Sequence, residues 1–330
     1  MGKALRSCGG LKMKIVILDA KTLGGDIDFD EIGKLGELVV YQTTSELQLE
    51  ERISDAEIII VNKIKLNEEN LPMAKKLKLI CVTATGYDNI DVNYCWRKQI
   101  GVCNLKDYST DSVAQVTVAM ALSLVTHLGE YDKYVKDGRY TGSGVQNRLK
   151  PYFHEIKGLT WGILGYGNIG GEVARIARGL GCRVLITPHR PMGDYDYFVS
   201  LDELMKKSDI ISLHVPLTAE TKGIINEKRL AKMKDGAILI NVSRGAVVDE
   251  AAVVEAVIDG KLGGLGIDVY SVEPMQKESP YNRILDRGNV IFTPHMAWGA
   301  HESRVRCVGE IAKNIETFLM GGNRNRVDLK

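Results

Sequence analysis

The chain predicts an α/β protein built from two doubly wound parallel-sheet units, and three observations carry that expectation. Short β-branched runs alternate with amphipathic stretches from one end to the other. The runs are apolar throughout, as strands buried on both faces are, rather than alternating like strands with one wet face. They also fall into two series, and 330 residues are too many for one hydrophobic core.

The first series runs through "KIVILD" (14–19), "LVVY" (38–41), "EIIIV" (57–61), "LKLICVT" (77–83) and "GVCN" (101–104), with helical stretches at 45–53 and 71–76. The second runs through "TWGILG" (160–165), "RVLIT" (183–187), "DIISLHV" (209–215), "AILINV" (237–242), "GLGIDV" (264–269) and "NVIFT" (289–293). Between them "DSVAQVTVAMALSLVTHL" predicts a long helix over 111–128, opened by Asp-Ser capping and apolar on one face. The following stretch, 129–153, is rich in Gly, Tyr and Lys, lacks a strand period, and is a candidate for subunit contact. A last helix over about 303–320 is placed to cross back to the first unit, and residues 1–12 read as a loose leader.

Composition excludes several function classes. Hydrophobic residues make up 45% and charged residues 26%, and 43 basic against 42 acidic residues leave a net charge of +1 without blocks of one sign. Nothing in that balance points to nucleic acid or an anionic membrane. The most apolar helical run, Val116 to Val125, is far short of the roughly 20 residues a bilayer span needs. The six cysteines form no CxxC pair and no Cys/His cluster, so a zinc site and a disulfide framework are both unexpected. A reducing cytoplasm fits, with chemistry left to side chains and a diffusible cofactor.

The cofactor signal is Gly165-Tyr166-Gly167-Asn168-Ile169-Gly170. A GxGxxG is weak alone in a chain with 34 glycines. Here it follows a strand, opens a helix with apolar residues at Ile169, Val173 and Ile176, and precedes a second strand. Gly165 permits the tight turn, Gly167 lets a pyrophosphate approach the backbone, and Gly170 brings helix and strand together. The helix N-terminus offers N–H groups to phosphate. At the end of the next strand an acidic residue would hold the ribose 2′-OH of NAD. "RVLITPHRP" has none, offering His189 and Arg190 instead, which could pair with a 2′-phosphate. That favours NADP(H), while NAD held without its usual anchor stays open.

Ligands of open α/β sheets collect beyond the C-terminal strand ends. Arg244, Glu273 and His295 all fall at such ends. Reducing a 2-oxo acid needs a cation for its carboxylate and carbonyl, a proton donor, and a group that orients the donor. Arginine, histidine and glutamate are suited to those three tasks.

With these residues placed, the chain resembles the D-isomer-specific 2-hydroxyacid dehydrogenases from about Met13 to Asn325. The likeness rests on "ATGYDNID" (84–91), "YSTDSVAQ" (108–115), "GILGYGNIG" (162–170), "LHVPLTAET" (213–221), "NVSRGAVVD" (241–249), "GIDVYSVEP" (266–274) and "TPHMAW" (293–298). It implies that Arg244 binds substrate, that Glu273 pairs with His295, and that His295 is the acid/base. It implies backbone N–H groups around Ala84, Thr85 and Gly86 for the substrate carboxylate. The implied cofactor set adds Val215 and Pro216 around the adenine, Asp268 on the nicotinamide carboxamide, and Thr221, Val242 and Ser243 to the glycine turn with Asn168 and Ile169. The fold implied is a Rossmann nucleotide-binding domain over 109–302 and a discontinuous, flavodoxin-like substrate domain over 13–108 with 303–330. A homodimer through the nucleotide-binding domain, a small 2-oxo or 2-hydroxy acid as substrate, and no nucleic-acid or membrane partner complete the expectation. "NK" at Asn62-Lys63 and "AW" at Ala297-Trp298 resemble the glycerate dehydrogenase/hydroxypyruvate reductase branch. The competing reading is an NAD(P)-sensing binding protein, since a corepressor branch keeps this fold for partner binding.

Overall fold

Each apolar run becomes a strand. The structure is a computed structural model that describes residues 12–188, 193 and 196–329. Its contacts divide them into two units, one comprising the described residues through Ser109 with those from Gly299 on, the other Thr110–Trp298.

In the first unit β1 (Lys14–Ile17), β2 (Glu37–Val40), β3 (Ile58–Val61), β4 (Leu79–Val82) and β5 (Gly101–Cys103) form a five-stranded sheet in the order β2-β1-β3-β4-β5. All pairs are parallel, so all C-terminal ends share one edge. β3 and β4 are buried at every position, which is why both read as unbroken apolar runs. One face packs on the helices Glu46–Ile53 and Val92–Arg97, joining Val16, Ile59, Ile80 and Val102 in one core. The last helix, His301–Leu319, lies with this unit, and its Cys307, Val308, Ile311 and Ile315 are buried.

The second unit holds β6 (Thr160–Leu164), β7 (Arg183–Thr187), β8 (Ile210–Leu213), β9 (Ala237–Asn241), β10 (Leu262–Ile267) and β11 (Val290–Phe292). They are parallel in the order β11-β10-β9-β8-β6-β7, and a lone parallel bridge from Ile186 to Phe198 extends the β7 edge. Cores cover both faces. On one, Val113, Ala121 and Val173 meet Trp161, Ile163 and Ile240; on the other, Val253 and Val257 meet Leu239 and Leu265.

Three local expectations need correcting. The stretch 71–76 forms only a 3-10 turn, Leu71–Met73, because Ala74 leaves helical conformation at ψ 72° on the way into β4. The long helix is Thr110–Thr126: Asp111 lies in its first turn, and the Ser112 hydroxyl donates to the Ala297 carbonyl at 2.6 Å instead of capping. His127, in the left-handed region at φ 52°, ends that helix and starts another, Leu128–Lys136. So part of the 129–153 excursion is helical, with no residue of that helix buried.

Candidate active site

The glycine turn leaves β6 as its spacing requires. Gly165 sits at φ 98°, a conformation that disfavours other residues, and a Cβ there would lie 2.7 Å from the His214 carbonyl carbon. A Cβ on Gly170 would collide with the Gly165 carbonyl oxygen, so turn, helix and the β8 end pack backbone to backbone. Gly167 differs: among the described residues a Cβ there would meet nothing within 4 Å. The helix Asn168–Gly179 starts directly after it, without a side-chain cap, and its first N–H groups lack intrahelical acceptors. An open approach in front of uncapped N–H groups fits a dinucleotide pyrophosphate.

At the β8 end Val215 is buried in the core and Pro216 is exposed. The Thr221 hydroxyl donates to the Pro216 carbonyl at 2.6 Å and accepts from the Thr218 N–H at 2.7 Å, so this side chain closes the turn. His189 and Arg190, beyond β7, lie outside the described residues.

The next strand ends bring the ionisable groups together on the same edge. Asn241, fully buried at the end of β9, accepts from the Ser243 N–H at 3.1 Å and hydroxyl at 2.9 Å. Its amide donates to the Arg244 carbonyl at 2.9 Å, fixing the turn that carries Arg244 off the sheet. Val242, just before it, is buried. Gly245 follows because any side chain there would strike the backbone of Tyr270 and Ser271.

Beyond β10 the Glu273 carboxylate meets His295 Nδ1 at 2.6 Å, with the side chains 28% and 23% exposed. A carboxylate on Nδ1 fixes the tautomer and leaves Nε2, on the opposite ring edge, to exchange a proton. His295 has φ 54°. Asp268 holds it there: its carboxylate accepts from the Thr293 hydroxyl at 2.6 Å and from the N–H groups of Met296 at 2.8 Å and Ala297 at 3.0 Å. Its carbonyl accepts from the His295 N–H at 2.8 Å. Asp268 is 1% exposed; burial raises its pKa, and these hydrogen bonds work against that rise.

In the first unit the predicted carboxylate-binding loop follows β4. Thr85 is exposed, Ala84 and Gly86 are half-buried, and among the described residues nothing accepts from the Thr85 or Gly86 N–H.

The sequence pointed to Arg244, Glu273 and His295 as candidates, and gave less warning of the groups that hold their turns in place. Asn241 carried a signal, an Asn two residues before a Ser-Arg-Gly turn, which is an Asx-turn pattern. Asp268 gave no local cue for its grip on the His295 loop, because the two meet only when β10 and β11 pair.

The model of the "D-isomer specific 2-hydroxyacid dehydrogenase, NAD binding domain" matches residues 118–297. A hydroxypyruvate reductase of Blautia hydrogenotrophica is 38% identical, over 96% of this chain and 100% of its own. The chain belongs to the D-isomer-specific 2-hydroxyacid dehydrogenases. Among solved structures, a D-lactate dehydrogenase of Aquifex aeolicus with NAD and lactic acid superposes with TM-score 0.84 at 34% identity, covering 96% of this chain and 99% of that one. An acyclic imino acid reductase with NADPH and D-Arg gives 0.85 at 30%, covering 96% and 100%. The protein is thus a nicotinamide-dependent 2-hydroxyacid oxidoreductase with two parallel-sheet α/β domains, one a Rossmann unit. No single described helix is long and apolar enough to cross a membrane.

Proposed function

We propose that this dehydrogenase works as a reductase of small 2-oxo acids, hydroxypyruvate and glyoxylate first, with NADPH preferred. The observation that carries the reading is the Glu273–His295 pair, 2.6 Å apart on the sheet edge that also bears Arg244 and the glycine turn. A nucleotide sensor has no use for a proton donor so held.

Gly165, Gly167 and Gly170, with Asn168 and Ile169, would hold the pyrophosphate; Pro216, with the backbone of the buried Val215, would flank the adenine; Thr221, Val242, Ser243 and Asp268 would complete the cofactor surface. When bound, the dinucleotide supplies the hydride. In the second unit Arg244 binds the substrate and polarises its carbonyl; in the first unit the N–H groups at Ala84, Thr85 and Gly86 are the receptor for a carboxylate. His295 Nε2 gives its proton to the developing alkoxide, and Glu273 stabilises the imidazolium beforehand. The first unit takes the substrate-domain role and the second the nucleotide-binding role.

NADPH preference rests on the sequence "TPHRP", which lacks a ribose-binding carboxylate at Pro188 and brings two basic residues close behind. The exposed apolar residues Leu128, Val135, Val145, Leu149, Tyr152 and Phe153 support a homodimer through the second unit. Five described cysteines, all free and buried, suit a cytoplasmic setting. Turnover with NADPH and NADH against a panel of 2-oxo acids tests the reading; no turnover with any of them returns the sensor.

A further inference from the structure

The loop after β4 is held from behind in a way that decides where its N–H groups point. A trans peptide is planar, with the C=O of one residue and the N–H of the next directed oppositely. The Thr85 carbonyl accepts from the Asn104 side-chain amide at 2.8 Å. The Ala84 carbonyl accepts from the Leu105 N–H at 3.0 Å, and the Thr83 carbonyl from the Tyr108 hydroxyl at 3.4 Å. Three successive carbonyls are therefore tied to the segment that follows β5, and the N–H groups of Ala84, Thr85 and Gly86 face away from it. Successive N–H groups on one side form a concavity for an anion.

Asn104 carries the last and most exposed link of that array. It is 5% exposed, its backbone N–H donates to the Asn325 carbonyl at 3.2 Å, and its carbonyl accepts from the Asn314 side chain at 3.1 Å. Its Oδ1 is buried with no hydrogen-bond partner among the described residues. A buried acceptor without a partner is costly, and an apolar side chain would avoid that cost. Turning the amide over offers no escape, since Oδ1 would then face the Thr85 carbonyl.

We propose that Asn104 is a positioning residue for the substrate carboxylate: by holding the Thr85 carbonyl inward it aims the Gly86 N–H outward. The proposal rests on the reading that this loop receives the carboxylate. The side chain touches no substrate and acts only through the Thr85–Gly86 peptide.

The test combines variants with a measurement on the unaltered protein. Asn104→Asp, nearly the same size, sets a carboxylate against the Thr85 carbonyl, and Asn104→Ala removes the donor; Asn104→Ser keeps a short donor. Asn104→Asp and Asn104→Ala are expected to raise KM for the 2-oxo acid by about ten- to a hundredfold. Dinucleotide KM should stay within about twofold and kcat should change less than substrate KM, with Asn104→Ser recovering much of the loss. A merely structural role would lower Tm without that split. In the wild-type protein, titration with oxalate should shift the Thr85 and Gly86 amide protons. If those amides ignore oxalate while it still inhibits turnover, the carboxylate reading of the loop is wrong, and the proposal with it. If they respond but the folded variants keep wild-type KM, the loop reading stands and the role of Asn104 is overturned. Should Asn104→Asp not fold, the Ala and Ser pair decides: equal KM values in the two contradict the proposal.

Discussion

His295 would be an ordinary histidine but for two carboxylates that do different work. Glu273 meets its ring nitrogen, whereas Asp268 meets only the backbone and hydroxyl of the loop that carries it. Glu273→Gln should therefore lower kcat by about tenfold or more with little change in substrate KM, because the imidazolium loses its stabilising charge. Asp268→Asn should do harm differently. Its new amide nitrogen would face the N–H of Ala297 or of Met296, so both stability and kcat fall, stability by about 1–3 kcal/mol. Steady-state kinetics and thermal melts on the two variants separate these outcomes. A third group titrates without reacting. His214 Nε2 contacts the Ser212 hydroxyl at 2.9 Å, its Nδ1 is sealed without a partner among the described residues, and burial pushes its pKa down from 6.5 to about 3. The unfolded chain thus binds a proton between those values that the folded one refuses. Stability is whole above about pH 6.5 and falls as the pH drops toward 3, by at most about 1.4 kcal/mol per pH unit from this residue. Melts from pH 7 to about pH 4 should show a gentler decline in His214→Gln, and an unchanged slope would contradict the assignment.

At the level of elements, the glycine turn separates architecture from ligand binding. A Cβ on Gly170 runs into the Gly165 carbonyl, whereas one on Gly167 meets none of the described residues within 4 Å, at an unstrained φ of −96°. Gly170→Ala should lower stability by about 1–3 kcal/mol and weaken dinucleotide binding as a consequence. Gly167→Ala should leave Tm unchanged and still weaken the dinucleotide, since its methyl occupies the approach of the pyrophosphate. Calorimetric titration beside thermal melts reads both, and a Gly167→Ala protein with full affinity would place the phosphate elsewhere. These elements were legible because local rules govern them: continuous apolar runs for buried parallel strands, and glycines where backbones touch. The 3-10 turn at Leu71–Met73 falls short of the expected helix because the chain leaves helical conformation at Ala74 to enter β4 at Leu79, a limit set by the strand and not by the segment's own residues. The supports of the site were hidden for another reason. Asp268 reaches residues 293–297, and Asn104 reaches Thr85, only across strand pairings that one sequence does not display.

For the whole molecule, cofactor choice and turnover remain the properties that matter. The 2′-phosphate of NADP carries close to two negative charges near pH 7. A charge-assisted contact from Arg190 would be worth on the order of 1.5–3 kcal/mol, or roughly ten- to a hundredfold in affinity. Arg190→Ala should weaken the NADPH preference, and Pro188→Asp with Arg190→Ala should reverse it. An enzyme that prefers NADH and ignores Arg190→Ala would place the basic pair away from the cofactor. The central claim is that one histidine, held by Glu273, makes this fold a 2-oxo acid reductase. Its most direct test is the oxidation of NADPH by hydroxypyruvate or glyoxylate, with wild-type protein and His295→Ala side by side. The account predicts turnover by the first and a kcat lower by about 10²–10⁴-fold in the second, with dinucleotide affinity retained. Near-equal turnover by the two proteins would contradict it.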